Sequence, residues 1–308
     1  MKKSKIIFLC DPLGNFLELH LCEPLVFNNF DQSLLNIHVP SVTANFIKGK
    51  KCIAIIKLVS AGKIKSIQKG KNIEIHDAFN LKIPLYIYHL VYSVFHKFWL
   101  RINVYSVHSA CVSKNGFITL LLGHSGFGKT TVSLNLLKKY GFRLVFSDRV
   151  LLKIKKDSIL VPFGGTKLIT YKKTNKKIPL NLVKSNKEYV DRKIAKLLPN
   201  YTLKEIPSSV DAIIFIRLSN TENKIEIVEP FEALVTLYKF FLDILGSDAL
   251  ILNGQAIYEG IDLKLKSKID LLRKLKKVIA RTPIVSTMGS LEKMNGRINN
   301  WVDKKSNE

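Results

Sequence analysis

The sequence predicts a mixed α/β protein: a small β-rich domain followed by an α/β domain that carries most of the chain. Three observations carry that prediction. Short apolar runs broken by turn residues fill the chain up to about position 80. From position 104 the pattern changes to strand, loop, helix, strand. Towards the C-terminus, apolar residues recur with a helical period among lysines.

The elements follow in order. Met1-Lys2-Lys3-Ser4-Lys5 before an apolar run imitates a secretion signal, but Asp11 and Pro12 end the run too soon for one. Residues 5–10 read instead as a first strand, and 16–21, 52–59 and 72–76 as further strands. Asp11-Pro12-Leu13-Gly14-Asn15 has the composition of a hairpin turn. Residues 1–82 are expected to form the small domain, with no chemistry legible in it, and 83–308 the second. Residues 83–100 are apolar and aromatic, yet His89, His96 and Lys97 interrupt them. A membrane span needs about 20 uninterrupted apolar residues, so no span is expected and 85–99 reads as a buried helix.

Residues 104–112 read as a strand, Lys114-Asn115-Gly116 as a turn, and 117–122 as a strand buried on both faces. A loop over 123–129 leads into a helix that runs to 139 and stops at Gly141. Residues 143–146 form a short strand ending at Ser147-Asp148, and 150–154 with 159–161 form a hairpin around Lys156-Asp157-Ser158. The lysine-rich stretch 171–204 reads as mobile or substrate-facing. Strands are expected at 210–218, 224–228 and 283–287, and helices at 232–245 and 262–280. In the latter, Leu263, Leu265, Ile269, Leu272, Leu275 and Ile279 share a face. Ser290 is placed to cap a closing helix with Glu292 in its first turn.

A hydrophobic fraction of 47% allows a sizeable core. The net charge of +25, from 49 Lys and Arg against 24 Asp and Glu, opens three partner classes: nucleic acid, an anionic membrane surface, or an acidic substrate. The lysines are spread along the whole chain beside Ile and Asn, as solvated surface residues are. With no recognition helix, zinc finger or aromatic-basic sheet motif, nucleic acid is not the expected partner. Cys10, Cys22, Cys52 and Cys111 form no C-x-x-C pair and no zinc spacing, which fits free thiols in a reducing cytoplasm. Cys111 is either a small core residue or a reactive thiol near the loop.

The chemistry lies in that loop. Gly123-His124-Ser125-Gly126-Phe127-Gly128-Lys129-Thr130 fits G-x-x-x-x-G-K-[ST] at every position, between an apolar strand and a helix. Glycines let backbone N–H groups approach phosphate oxygens. The helix beginning at Lys129 turns its positive end to the same anion. Lys129 adds a point charge for the terminal phosphates, and the Thr130 hydroxyl suits Mg²⁺, which shares hard oxygens with substrate phosphates. With the adjoining Thr131, these residues are the candidate binding site for ATP and Mg²⁺. Asp148, 19 residues after Lys129 (148 − 129), closes an apolar run and can reach the metal from a strand end. Alone, it also reads as a turn cap. His108 in Val107-His108-Ser109-Ala110 reads, by itself, as a hydrogen-bonded core histidine.

Residues 104–152 resemble the catalytic domain of the HPr kinase/phosphorylase family, whose fold is shared with the phosphoenolpyruvate carboxykinases. The matching features are His108 before a small residue, the strand–turn–strand into 123–130, the helix, and Arg143-Leu144-Val145-Phe146-Ser147-Asp148. Residues 213–218, 231–245 and 283–290 resemble the later parts more loosely. The resemblance implies ATP, Mg²⁺, phosphoryl transfer to a hydroxyl and a homo-oligomer, often a hexamer. It implies metal binding by Thr130 and Asp148, and His108, Asp148 and Lys129 at the reacting group. Two features depart from the family. An ungapped match sets Ser147 where the family has the first of two Asp residues. Either Asp148 serves both roles, the register slips by one, or the base is lost. The Arg-Asn signature near the C-terminus of HPr kinases is also missing, which points away from HPr as acceptor. Three functions are therefore weighed: a kinase acting on a peptide Ser or a small alcohol, which is expected; a non-catalytic ATP-binding module that contacts a partner; and, prompted by the net charge of +25 but backed by no motif, a nucleotide-dependent nucleic-acid or membrane-surface protein.

Overall fold

The computed structural model describes residues 5–22, 35, 39, 42–45, 51–79, 83–147, 149–164, 167–171, 189–193, 209–219, 224–242, 250–252, 255–258 and 264–308. The chain divides into two compact units, Met1–Ile102 with Asp243–Asp262, and Asn103–Leu242 with Leu263–Glu308. This differs from a boundary at 82/83. The helix after position 83 goes with the first unit, as does a later excursion of the chain.

In the first unit, strands β1 (Lys5–Cys10), β2 (Asn15–Leu21), β3 (Thr43–Asn45), β4 (Lys51–Ser60), β5 (Lys65–Lys69) and β6 (Asn72–Asp77) form one sheet in the order β3-β1-β2-β4-β6-β5. Alternate residues are buried, among them Ile7, Leu9, Leu17, Leu19, Ile56, Leu58, Ile73 and Ile75, as a half-buried sheet requires. The expected hairpin turn is present. Asp11 is buried within it and accepts from the amides of Leu13 (3.0 Å) and Asn15 (2.9 Å) and from Asn15 Nδ2. It also accepts from Trp99 Nε1 at 2.9 Å, which ties helix α1 (Leu85–Arg101) to the turn. Helix α1 is buried nearly all round, through Ile87, Leu90, Val91, Phe95 and Trp99.

The second unit holds β7 (Val104–Lys114), β8 (Phe117–Leu122), helix α2 (Lys129–Tyr140), β9 (Arg143–Phe146), β10 (Arg149–Lys155), β11 (Ser158–Gly164), β12 (Lys167–Tyr171), β13 (Tyr189–Lys193), β14 (Ala212–Leu218), β15 (Lys224–Ile227) and helix α3 (Pro230–Leu242). The hairpin β16 (Leu250–Leu252) and β17 (Gln255–Tyr258) falls in the first unit, and helix α4 (Leu265–Ile279), β18 (Ile284–Gly289) and helix α5 (Leu291–Ser306) complete the second. Its main sheet runs β11-β10-β7-β8-β14-β18-β15, with β9 also on β7. Strands β8, β14 and β18 are parallel and the remaining pairs antiparallel. Val132, Leu136 and Leu137 of α2 and Met294, Ile298 and Val302 of α5 pack with Leu121, Ile214 and Ile216 on one face. Phe215 points the other way, to Phe240 of α3 (6.1 Å between centroids), and Phe241 meets Tyr105 at 5.3 Å. The central strand β8 is buried on both faces, as its unbroken apolar run predicts.

Two expectations need correction. Leu265 is 72% and Ile269 37% exposed, and the buried stripe of α4 is Leu271, Leu275 and Val278. The stripe lies about one residue round the helix from the expected one, on the side that meets its neighbours. Ser290 holds the N-cap position of α5 in extended backbone but makes no side-chain capping bond, and Glu292 pairs instead with Lys139 of α2 at 2.9 Å. Most of the lysine-rich stretch 171–204 lies outside the described residues; within it, Tyr189–Lys193 is a strand paired with β12. Among the described residues, no helix is long and apolar enough to cross a membrane.

Candidate functional site

The parallel strands β8, β14 and β18 bring their carboxyl ends together, the place where open α/β sheets bind ligands. The loop 123–128 leaves β8 there. Its conformation follows from its glycines. Gly126 and Gly128 have φ of 83° and 92°, in the left-handed region that L-residues rarely adopt. Gly123 and Gly128 also lie too close to β14 for a side chain. A Cβ on Gly123 would stand 2.7 Å from the Ile216 carbonyl oxygen, and one on Gly128 would stand 2.2 Å from Leu218 Cδ1. The Leu218 amide donates to the Phe127 carbonyl at 3.2 Å, and the Phe127 amide to His124 at 3.1 Å, so the loop is pinned to β14 and to itself.

Helix α2 begins with Gly128 at its N-cap and no side-chain cap. Its first-turn amides therefore face the loop, where an anion can complete them. Lys129 is buried and turns back into the loop, donating from Nζ to the Gly123 carbonyl at 2.5 Å and to that of His124 at 3.1 Å. Thr130 and Thr131, both half-buried, stand in the first turn of α2. His124, Ser125 and Gly126 form the exposed crest. The His124 ring packs on Phe127 (5.3 Å) and Phe240 (5.1 Å), and the Arg217 guanidinium lies 5.3 Å over the Phe127 ring.

Register brings a distant segment to the loop. Ser109 of β7 pairs with Leu122, the last residue of β8, so His108 stands level with the start of the loop. On the other side of β7, His108 pairs with Arg149, the first residue of β10. Burial first, then the charges of Lys129 and Arg149, hold the His108 imidazole at about 3, so it is neutral at pH 7. A neutral imidazole has one N–H donor and one acceptor nitrogen. Ser147 is buried between β9 and β10, and its carbonyl accepts from the Arg149 amide at 2.9 Å. Asp148 lies outside the described residues. Cys111 is a buried core residue whose thiol pKa is raised by burial and by Asp211, which resolves it as unreactive.

Sequence reasoning missed Arg149, Leu218 and the ring cluster about His124. Nothing local to Arg149 marks it; it comes to the site by pairing with a strand about 40 residues away.

The donor set fits a polyphosphate: backbone amides at an uncapped helix start, a cradle that a Cβ would fill, and one ammonium group. It also fits Mg²⁺ through the Thr130 hydroxyl. No group of three His, Cys, Asp or Glu residues is present among the described residues, and a Mg²⁺ ion held mainly by phosphate and water requires none.

No protein-family model matches this chain. No curated protein matches it. Among solved structures, the Hpr(Ser) kinase/phosphatase from Coxiella burnetii is similar at 12% identity, over 65% of this chain and 95% of that one, with a TM-score of 0.30. A likeness of that size is distant and transfers no activity to this chain.

Proposed function

We propose that this protein binds ATP with Mg²⁺ at residues 123–131 and transfers a phosphoryl group to a hydroxyl acceptor, a peptide Ser or a small alcohol. The observation that carries the reading is the pinned loop. Its glycines are closed against Ile216 and Leu218, and its lysine is folded inside. Such a loop is preorganised, so little ordering cost remains when phosphates replace the carbonyls as partners of Lys129. The loop amides and the start of α2 would bind the phosphates, and Lys129 would hold the terminal ones. Mg²⁺, held by Thr130 and Asp148, would supply charge neutralisation for the transferring group. Neutral His108, level with the loop's first residue, would orient the acceptor hydroxyl through its acceptor nitrogen without adding a third cation. Phosphoryl transfer depends mostly on positioning and charge, so it does not require a carboxylate at position 147.

A second reading is favoured by that same position. Buried Ser147 cannot serve as a carboxylate base, and a chain that binds ATP without turnover would act as a switch module. Incubation with γ-labelled ATP, Mg²⁺ and Ser-containing peptides or small alcohols separates the two. Label on an acceptor supports the kinase; tight binding without transfer supports the module. Absence of binding at millimolar Mg-ATP removes both. Within the kinase reading, Asp148→Asn is expected to lower Mg²⁺-dependent turnover by orders of magnitude. Turnover retained at the same Mg²⁺ optimum would remove Asp148 as a metal ligand.

A further inference from the structure

We propose that Arg149 is a second cation of the phosphate site, set one strand beyond His108 and directed at the terminal phosphate, and that it makes the site prefer a nucleoside triphosphate to a diphosphate. The inference rests on the nucleotide reading above and adds to it a residue the loop motif does not contain.

Two registers carry it. Arg149 and His108 are direct partners across β10 and β7, and directly opposed residues in an antiparallel ladder send their side chains to the same face. His108 in turn follows from the Ser109–Leu122 pair as the neighbour of Gly123. Strands β10, β7 and β8 are adjacent, so Arg149 stands two strand spacings, about 10 Å, from the start of the loop. A guanidinium side chain is long enough to span much of that gap. The electrostatics agree: the charges of Arg149 and of Lys129 both bear on the one imidazole between them. Lys129 reaches this space from the helix side, through the Gly123 and His124 carbonyls. Arg149 starts from the other side of His108, on β10, with its amide held by the Ser147 carbonyl. A planar, permanently charged guanidinium suits phosphate oxygens better than an ammonium does. The loop amides and the start of α2 would serve the phosphates that a diphosphate and a triphosphate share, and Lys129 would approach the terminal ones from the helix side. A cation one strand beyond His108 would add a contact to the phosphate that only the triphosphate carries.

The test is calorimetry on the full chain with Mg-ATP and Mg-ADP, for the wild type, Arg149→Gln and Arg149→Lys, with folding checked by circular dichroism. Arg149→Gln is expected to weaken Mg-ATP roughly tenfold or more, the scale of one hydrogen bond to a charged group, and Mg-ADP much less. Arg149→Lys should fall between, because it keeps the charge and loses the fork. An unchanged ATP-to-ADP ratio in Arg149→Gln, or an equal loss for both nucleotides, would overturn the proposal by reducing Arg149 to a structural residue. Should Arg149→Gln not fold, the Lys variant decides: a wild-type ratio with lower affinity for both overturns it, and a reduced ratio supports it. A wild type that binds neither nucleotide is a different outcome. It sinks the nucleotide reading itself, and this inference with it.

Discussion

Replacing Gly128 by Ala tests the loop where it is most constrained. Two separate costs arise. The backbone there has φ of 92°, and an L-residue in the left-handed region costs about 1–2 kcal/mol. The new Cβ would also meet Leu218 at 2.2 Å (Cδ1) and 2.6 Å (Cγ), so side chain or backbone must move. Overpacking of that kind costs about 1–3 kcal/mol, and the sum is roughly 2–5 kcal/mol. Gly126 supplies the control. Its φ is 83°, but no atom lies within 4 Å of a Cβ built on it, so Gly126→Ala carries only the backbone cost. Urea unfolding of both variants should separate them by about 1–3 kcal/mol. Combining Gly128→Ala with Leu218→Ala should recover most of that difference as a coupling energy in a double-mutant cycle. Mg-ATP calorimetry should show lost affinity in Gly128→Ala, since displacing Leu218 frees the loop from β14. Equal destabilisation by the two glycine variants, or no coupling to Leu218, would refute the reasoning.

Other outcomes follow from the same structure. Lys129→Ala should abolish Mg-ATP binding and also cost stability, about 1–3 kcal/mol, because the buried Gly123 carbonyl and the part-buried His124 carbonyl lose their donor; unchanged Mg-ATP binding would refute its role. His108 links stability to pH. Its pKa is about 3 folded against 6.5 unfolded, so between those values the unfolded chain binds the extra proton. Stability from this group is complete above pH 6.5 and is lost as pH falls towards 3, by on the order of a few kcal/mol. His108→Gln should flatten the stability profile in that window, and parallel profiles would show that the imidazole is not held neutral. In the first unit, Asp11→Ala leaves the Leu13, Asn15 and Trp99 donors without their carboxylate. A loss on the order of 3 kcal/mol is expected, and less for Asp11→Asn. Unfolding followed by Trp99 fluorescence in a Trp301→Phe background checks it.

What the sequence determined by itself is local. Residues 123–130 read as a candidate phosphate loop because glycine freedom, a lysine and a following helix are properties of consecutive residues. Strands β7 to β11 and helix α2 are legible for the same reason: an apolar run, a turn and a helical period each show within about ten positions. The tertiary structure decided everything that depends on which segments meet. The backbone hydrogen bonds that pair β10 with β7 are blind to side chains, so nothing around Arg149 announces that it will face His108. Leu218 closes on Gly128 only because β14 lies beside β8, about 95 residues away in the chain. Helix α4 carries apolar residues on two overlapping stripes, and its period cannot say which is covered; packing in the folded unit buries Leu271, Leu275 and Val278. Helix α1 is apolar nearly all round, so its own pattern names no partner, and the turn at Asp11 supplies one through Trp99.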